Sequence, residues 1–135
     1  MEKALSDSAQ TVQQFLTNYG IANQVIECPA STRTAAEAAA TIGCAVAQIA
    51  KSILFVTVSK KPILVIASGA HRINETTIEK LVGEPVKKAD AQFTREATGF
   101  VIGGVPPFGH TQKIPTFIDE ALLKFPQIWA AAGTP

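Results

Sequence analysis

Residues 51–68, "KSILFVTVSKKPILVIAS", constrain this chain's fold more than any other stretch. Two runs dense in β-branched and apolar residues are separated only by the polar segment "SKKP". The first, "KSILFVTVS", is apolar enough for a buried strand, and "ILVIAS" is placed to return beside it as a hairpin partner.

The segments around this hairpin read as helices and short strands. Ser8 to Tyr19 carries Val12, Phe15, Leu16 and Tyr19 at helical spacing, and Gly20 marks the stop. "QVIEC" (24–28) reads as a short strand. Thr34-Ala35-Ala36-Glu37 is a capping box that opens the helix "AAEAAATI", and Gly43 ends it. A further turn, "AVAQIA", leads into the hairpin. Asn74 caps a helix through Ile78, Leu81 and Val82 up to Gly83, and Asp90 starts another through Phe93 and Ala97 up to Gly99. "EPVKKA", "FVI" (100–102), "PTFID" and "QIWAAA" complete the expected strands. The pattern gives an α+β fold with a mixed sheet and lacks the regular strand–helix–strand beat of a doubly wound fold.

Composition narrows the class. A chain of 135 residues that is 47% hydrophobic fits a single globular domain with a real core. Its apolar runs, such as Ile63–Ala67, fall far short of the roughly 20 residues that cross a bilayer, so no membrane partner is expected. The start reads as an amphipathic helix rather than a signal peptide. Cys28 and Cys44 form no secreted-scaffold pattern, which makes a cytoplasmic location the expectation. A net charge of +1 argues against a dedicated, strongly basic nucleic-acid binder, and DNA is not an expected partner. Residues 50–88 nevertheless hold seven cations against three carboxylates, which is either a solvated face or a polyanion footprint.

His71, His110, Cys28 and Cys44 are spread without the close pairs of zinc sites, so neither a metal nor a cofactor is expected. No Walker loop exists, and "GFVIGG" is not succeeded by the helix start of a dinucleotide fingerprint. No Ser-His-Asp set is visible. Lys51, at the start of the apolar strand, is either a snorkelling surface lysine or a cation held at a site mouth. The segment "GGVPPFGH" (103–110) is either a plain turn or a preorganised loop. Gly103-Gly104 permit close backbone approach and Pro106-Pro107 stiffen the adjoining chain, as a set of donors aimed at a carbonyl would require.

"TAAEAAATIGCAVAQIAKSILFV", with "GGVPPFGH" about fifty residues later, resembles the YbaK/ProX family of aminoacyl-tRNA deacylases, relatives of the editing insertion of bacterial prolyl-tRNA synthetase. The likeness runs from about residue 24 to the end. It implies a strongly bent, barrel-like mixed sheet surrounded by helices, one editing domain over 1–135, and metal-free hydrolysis of the ester joining a wrong amino acid to tRNA. By resemblance, Lys51 binds the terminal adenosine or its phosphate, and the backbone of Gly103, Gly104, Val105 and Pro107 holds the aminoacyl carbonyl. Ser52, Ser68, Pro106 and His110 are expected against the substrate, with His110 either lining the pocket or serving as a structural histidine. Lys60, Lys61, Arg72, Lys87 and Lys88 are expected against tRNA. The expected partners are the aminoacyl-tRNA 3′ end and an aminoacyl-tRNA synthetase.

The chain departs from its relatives in places. Ser52 stands where the branch that clears cysteine usually has threonine, and the histidine–asparagine signature of the alanine-clearing branch is absent. "VPPFGH" is similar to a third branch, whose members clear small amino acids. The chain stops at "AAGTP", where relatives continue with a further apolar segment, so a shortened C-terminus is expected. Two other uses of the same residues stay open: a binding module without catalysis, and a small-molecule esterase.

Overall fold

The computed structural model describes residues 5–26, 28 and 32–134. The hairpin is its centre. Strand β1 (Ile49–Thr57) pairs antiparallel with β2 (Pro62–Ser68) in unbroken register from Ala50↔Ser68 to Val56↔Pro62. β2 then pairs parallel with β4 (Thr116–Ile118) on its other edge. The outer edge of β1 serves two partners. Near its start Ile49 and Ala50 pair in parallel with β5 (Trp129–Ala130), and near its end Phe55–Thr57 pair antiparallel with β3 (Val86–Lys88). Between them Lys51, Ser52 and Ile53 have no ladder partner on that edge among the described residues. One strand with two neighbours on one edge is what a strongly bent, mixed sheet requires, and the fold is α+β as expected.

Strand alternation sorts the hairpin's side chains to two faces. Ala50, Leu54 and Val56 of β1 join Leu64 and Ile66 of β2 in the main core. Helix α1 (Asp7–Asn18) contributes Val12 to this core, α4 (Ala91–Thr98) contributes Ala97, and Ala89, Phe100, Val105 and Leu122 complete it. On the opposite face Phe55, Ile63 and Val65 pack against Ile78 and Val82 of α3 (Glu75–Val82). Helix α2 (Ala35–Ile42) sets Ala38 and Ala39 against Ile49, with Trp129 alongside.

Helices α2, α3 and α4 each run eight residues between a polar N-cap and a glycine. Thr34 accepts from the Glu37 N–H at 3.1 Å, Asn74 from Thr77 at 3.3 Å and Asp90 from Phe93 at 2.8 Å. These side-chain oxygens satisfy first-turn donors that the helices cannot satisfy themselves.

Four details differ from the sequence-based expectation. Residues 24–26 and 28 of "QVIEC" form no strand, and Glu27 lies outside the described residues. "FVI" is not a strand either: Phe100 is buried in the core while Val101 and Ile102 face solvent. Flanked by glycines at 99 and 103, that run folds inward at one residue instead of extending. Leu81 is exposed, because Ile78 and Val82 alone form the inward stripe of α3. Residues 120–124, for which the sequence pattern predicts no element, form a 3₁₀ segment (Glu120–Lys124) that brings Leu122 into the core.

Candidate active site

Lys51 is half-buried at the start of β1, directly opposite Ala67. Among the described residues it has no ion-pair partner, so its charge is uncommitted. Alternation places it on the Phe55 face and puts Ser52 on the face of Ala50 and Val105. The Ser52 hydroxyl is buried and has no hydrogen-bond partner among the described residues. Thr94 Oγ1 of α4 is buried in the same unpartnered way, and an orphaned hydroxyl of this kind is costly.

Across Ala67, the same end of the sheet holds a pair that no sequence pattern joins. Asp119 comes just after β4, with its N–H donating to the Ile66 carbonyl at 2.8 Å. Its Oδ2 accepts from the Ser68 N–H at 3.1 Å and lies 2.7 Å from His71 Nδ1, while Oδ1 accepts from the Ala121 N–H at 3.0 Å. The His71 hydrogen bond, helped by the two backbone donors, holds the Asp119 carboxyl below the ordinary carboxylate range. Facing the ionised Asp119, Nδ1 of the half-exposed His71 ring is a protonated nitrogen that donates to the carboxylate. Forty-eight residues separate the partners, and no local spacing signals such a pair.

Ser68 belongs to this corner as a structural residue. It is fully buried, its Oγ donates to the Ala47 carbonyl at 2.9 Å and accepts from the Ala70 N–H at 3.3 Å. Both of these bonds engage its hydroxyl within the protein.

The glycine-proline loop is built from backbone. Gly103 has φ +84°, in the left-handed region that glycine adopts freely. The Gly104 N–H donates to the Val101 carbonyl at 3.0 Å, and its own carbonyl accepts from Gly133 at 2.9 Å. A Cβ on Gly104 would lie 2.8 Å from Thr134 Cα and 2.9 Å from the Gly133 carbonyl oxygen, so only glycine fits this backbone crossing. Pro106 and Pro107 have no N–H to offer. Within residues 103–107, Gly103 and Val105 therefore carry the uncommitted donors among the described residues. Gly104 and the two prolines shape the loop and present no donor to a carbonyl.

His110 braces the loop. Its Nε2 lies 2.7 Å from the Pro106 carbonyl, and its ring meets Phe100 edge-on at 6.5 Å. Both contacts hold the ring against the loop and the core. Further braces tie the loop's far side to α4: Thr111 N–H donates to the Thr98 carbonyl at 3.2 Å and Gln112 Nε2 to the Ala97 carbonyl at 3.2 Å.

The backbone of the loop is linked to that of β1 through the C-terminal strand. Ala130 pairs with Ala50, one residue before Lys51, and three residues later Gly133 bonds to Gly104. The basic residues, in contrast, divide. Arg72 stands next to His71 at the Lys51 end. Lys60 and Lys61 lie in the β1–β2 turn, and Lys87 and Lys88 pair with Val56 and Phe55, at the other end of β1. Six residue steps along the strand separate Lys51 from Thr57, about 20 Å. Lys87 and Lys88 also alternate to opposite faces, so the five cations form no single patch.

Among the described residues no group of three or more His, Cys, Asp or Glu side chains could hold a metal ion, and no helix is long and apolar enough to cross a membrane.

Comparison with known proteins agrees with this architecture. The protein is 31% identical over 127 residues to the uncharacterized protein YwhH of Bacillus subtilis (strain 168), covering 94% of this chain and 81% of YwhH. The crystal structure of a proposed trans-editing enzyme for prolyl tRNA synthetase superposes with a TM-score of 0.91 at 47% identity, covering 98% of this chain and 84% of that one. The hypothetical protein APE2540 superposes at 0.84 with 29% identity, over 91% of this chain and 82% of the other. The aminoacyl-tRNA editing domain matches residues 29–135, which span β1, the His71–Asp119 corner and the whole glycine-proline loop, and the chain belongs to that family.

Proposed function

We propose that this protein is a free-standing editing hydrolase that removes a mischarged small amino acid, of the alanine, serine, cysteine or threonine class, from the 3′ end of tRNA, with tRNA for proline as the acceptor. One observation carries the reading: an uncommitted cation and a braced loop with two uncommitted N–H donors are tied to the same end of β1. An aminoacyl ester needs both, a counter-charge for the terminal phosphate and donors for the oxyanion that develops at the carbonyl.

In this mechanism Lys51 fixes the terminal nucleotide electrostatically, and the N–H groups of Gly103 and Val105 receive the carbonyl oxygen. Water attacks the carbonyl carbon and the bond to the ribose oxygen breaks. The proton lost by water ends on that leaving oxygen, freeing the amino acid and an intact 3′ end. The ester is already activated, so holding the carbonyl and placing a water supply much of the rate. No metal takes part. Editing of this kind is needed because one methylene is worth only about 1–3 kcal/mol of selectivity in a synthetase pocket. Arg72 meets phosphate near the ester, and Lys60, Lys61, Lys87 and Lys88 meet the tRNA body further off. Salt should therefore weaken binding as counterions are released. A cytoplasmic location and a synthetase partner go with this activity.

The test is a deacylation panel of tRNA for proline charged with alanine, serine, cysteine, threonine or proline. Release of one or more of the four wrong amino acids, with proline spared, is expected. Release of none of them would sink the activity.

A further inference from the structure

Helix α1 and the glycine-proline loop share an aromatic stack that the hydrolysis reading leaves unused. Phe108, in the loop, lies face to face with Phe15 of α1 at 5.1 Å between centroids and 21° between planes. Phe15 in turn stacks on Tyr19 at 4.6 Å and 25°. The next loop residue, Gly109, has φ +80° and lies on the Phe15 ring, where a Cβ would be 3.6 Å from it. Tyr19 ends the ladder and is 71% exposed, so the outer face of its ring is open to solvent.

The chemistry of the surroundings selects what that ring can receive. From Leu5 to Gly20 the only charged side chain is Asp7, so nothing there neutralises a phosphate. Beside Phe15 lies an open concavity of about 470 Å³ lined by Asp7, Gln10, Thr11, Gln14 and Asn18, with Gln14 Nε2 donating to Asn18 Oδ1 at 2.8 Å. Aromatic faces and amide side chains are what proteins use to stack unpaired bases and to bond their edges. A phosphate or an acidic peptide would find no partner.

We propose that Tyr19, backed by Phe15 and Phe108, is a stacking platform for an unpaired nucleobase of the substrate's single-stranded end, next to the esterified nucleotide. The inference rests on the editing reading for the identity of the strand. Two ring-to-ring steps join the platform to the loop that receives the ester, so the base that stacks on Tyr19 sets the register of the strand. Tyr19 acts on binding and leaves the reacting atoms alone.

The experiment uses the full chain, a mischarged tRNA that the wild type hydrolyses, and the same tRNA carrying an abasic residue at one of the two nucleotides before the terminal adenosine. Tyr19→Ala is expected to raise KM by about 5- to 150-fold, the range for losing one base–aromatic stack, with kcat within about twofold. Tyr19→Trp should keep the wild-type KM or lower it. The abasic substitution should cost the wild type a similar factor and cost Tyr19→Ala nothing further. An unchanged KM in Tyr19→Ala overturns the proposal. So does a loss that is equal on intact and abasic tRNA, or one that emerges only when a protein partner is added. Binding of an uncharged oligonucleotide with the sequence of the tRNA 3′ end is measured in parallel. Tyr19-dependent binding without hydrolysis of any ester upholds the platform and rejects the editing reading, whereas hydrolysis indifferent to Tyr19 does the reverse.

Discussion

The two halves of the candidate site are made in opposite ways. The corner of Lys51, His71 and Asp119 is made of side chains on or just after three different strands, and it offers charge. The loop at 103–107 is made of main chain, shaped by two glycines and two prolines and locked by His110, and it offers direction. A charge can be supplied by any side chain of the right sign that reaches, so the corner tolerates changes of shape better than changes of ionisation. Backbone donors have no substitute, so the loop is least tolerant of an added methyl at Gly104. This difference predicts which variants damage the fold and which damage only the chemistry.

The largest effect should come from Gly104→Ala. The added Cβ meets backbone that cannot step aside, and overpacking of this kind costs about 3 kcal/mol. Thermal unfolding should shift down together with loss of deacylation. A variant with wild-type Tm would show that the crossing at Gly133 is not tight. Lys51→Ala should separate chemistry from stability: deacylation falls roughly 100-fold while Tm stays within a degree or two, and Lys51→Arg retains part of the rate. A fall in Tm equal to that of Gly104→Ala would erase the contrast between the two regions.

Asp119 is the next test. Its carboxyl titrates below the ordinary aspartate range because the His71 hydrogen bond and two N–H donors favour the ionised form. The unfolded chain therefore binds the proton more readily in this window. The resulting stabilisation is complete above the ordinary carboxylate pKa and is lost as pH falls through the lower folded value. Acid unfolding curves of Asp119→Asn should lose that component below about pH 4, with little change at pH 7 in its slope against pH. The smallest effect belongs to His110→Phe, which keeps a ring against Phe100 and removes the donor to Pro106. Loss of one such hydrogen bond costs about 1 kcal/mol and should raise KM modestly without abolishing turnover.

How much of the molecule is legible in the sequence depends on how local each signal is. The helices are legible because Thr34, Asn74 and Asp90 at one end and Gly43, Gly83 and Gly99 at the other mark them within ten residues. The hairpin is legible for the same reason. "FVI" misleads because three apolar residues in a row look the same whether they extend or turn. Phe100 finds a core, and Val101 and Ile102 do not. "EALLK" escapes assignment because five residues give too little periodicity. The His71–Asp119 pair and the crossing of Gly104 over Gly133 are beyond reach, since each joins distant parts of the chain through the sheet. The sequence suggests that Gly104 donates to a ligand, and the structure shows that its N–H is already used to close the turn from Val101.

The two-residue pairing of β5 with the start of β1 also governs when the site exists. Ile49 and Trp129 lie about 80 residues apart in sequence, and contacts that close so much chain form late in folding. The ladder is short, and the loop's Gly104 hangs on the turn just beyond it. Short ladders are the first to open from the native state. The amides of Ala130 and Gly133 should thus exchange with solvent well before those of the hairpin. On the ribosome, the hairpin can fold while the site stays unmade until the segment after residue 128 has emerged. The site would then be completed later than the appearance of a stable core.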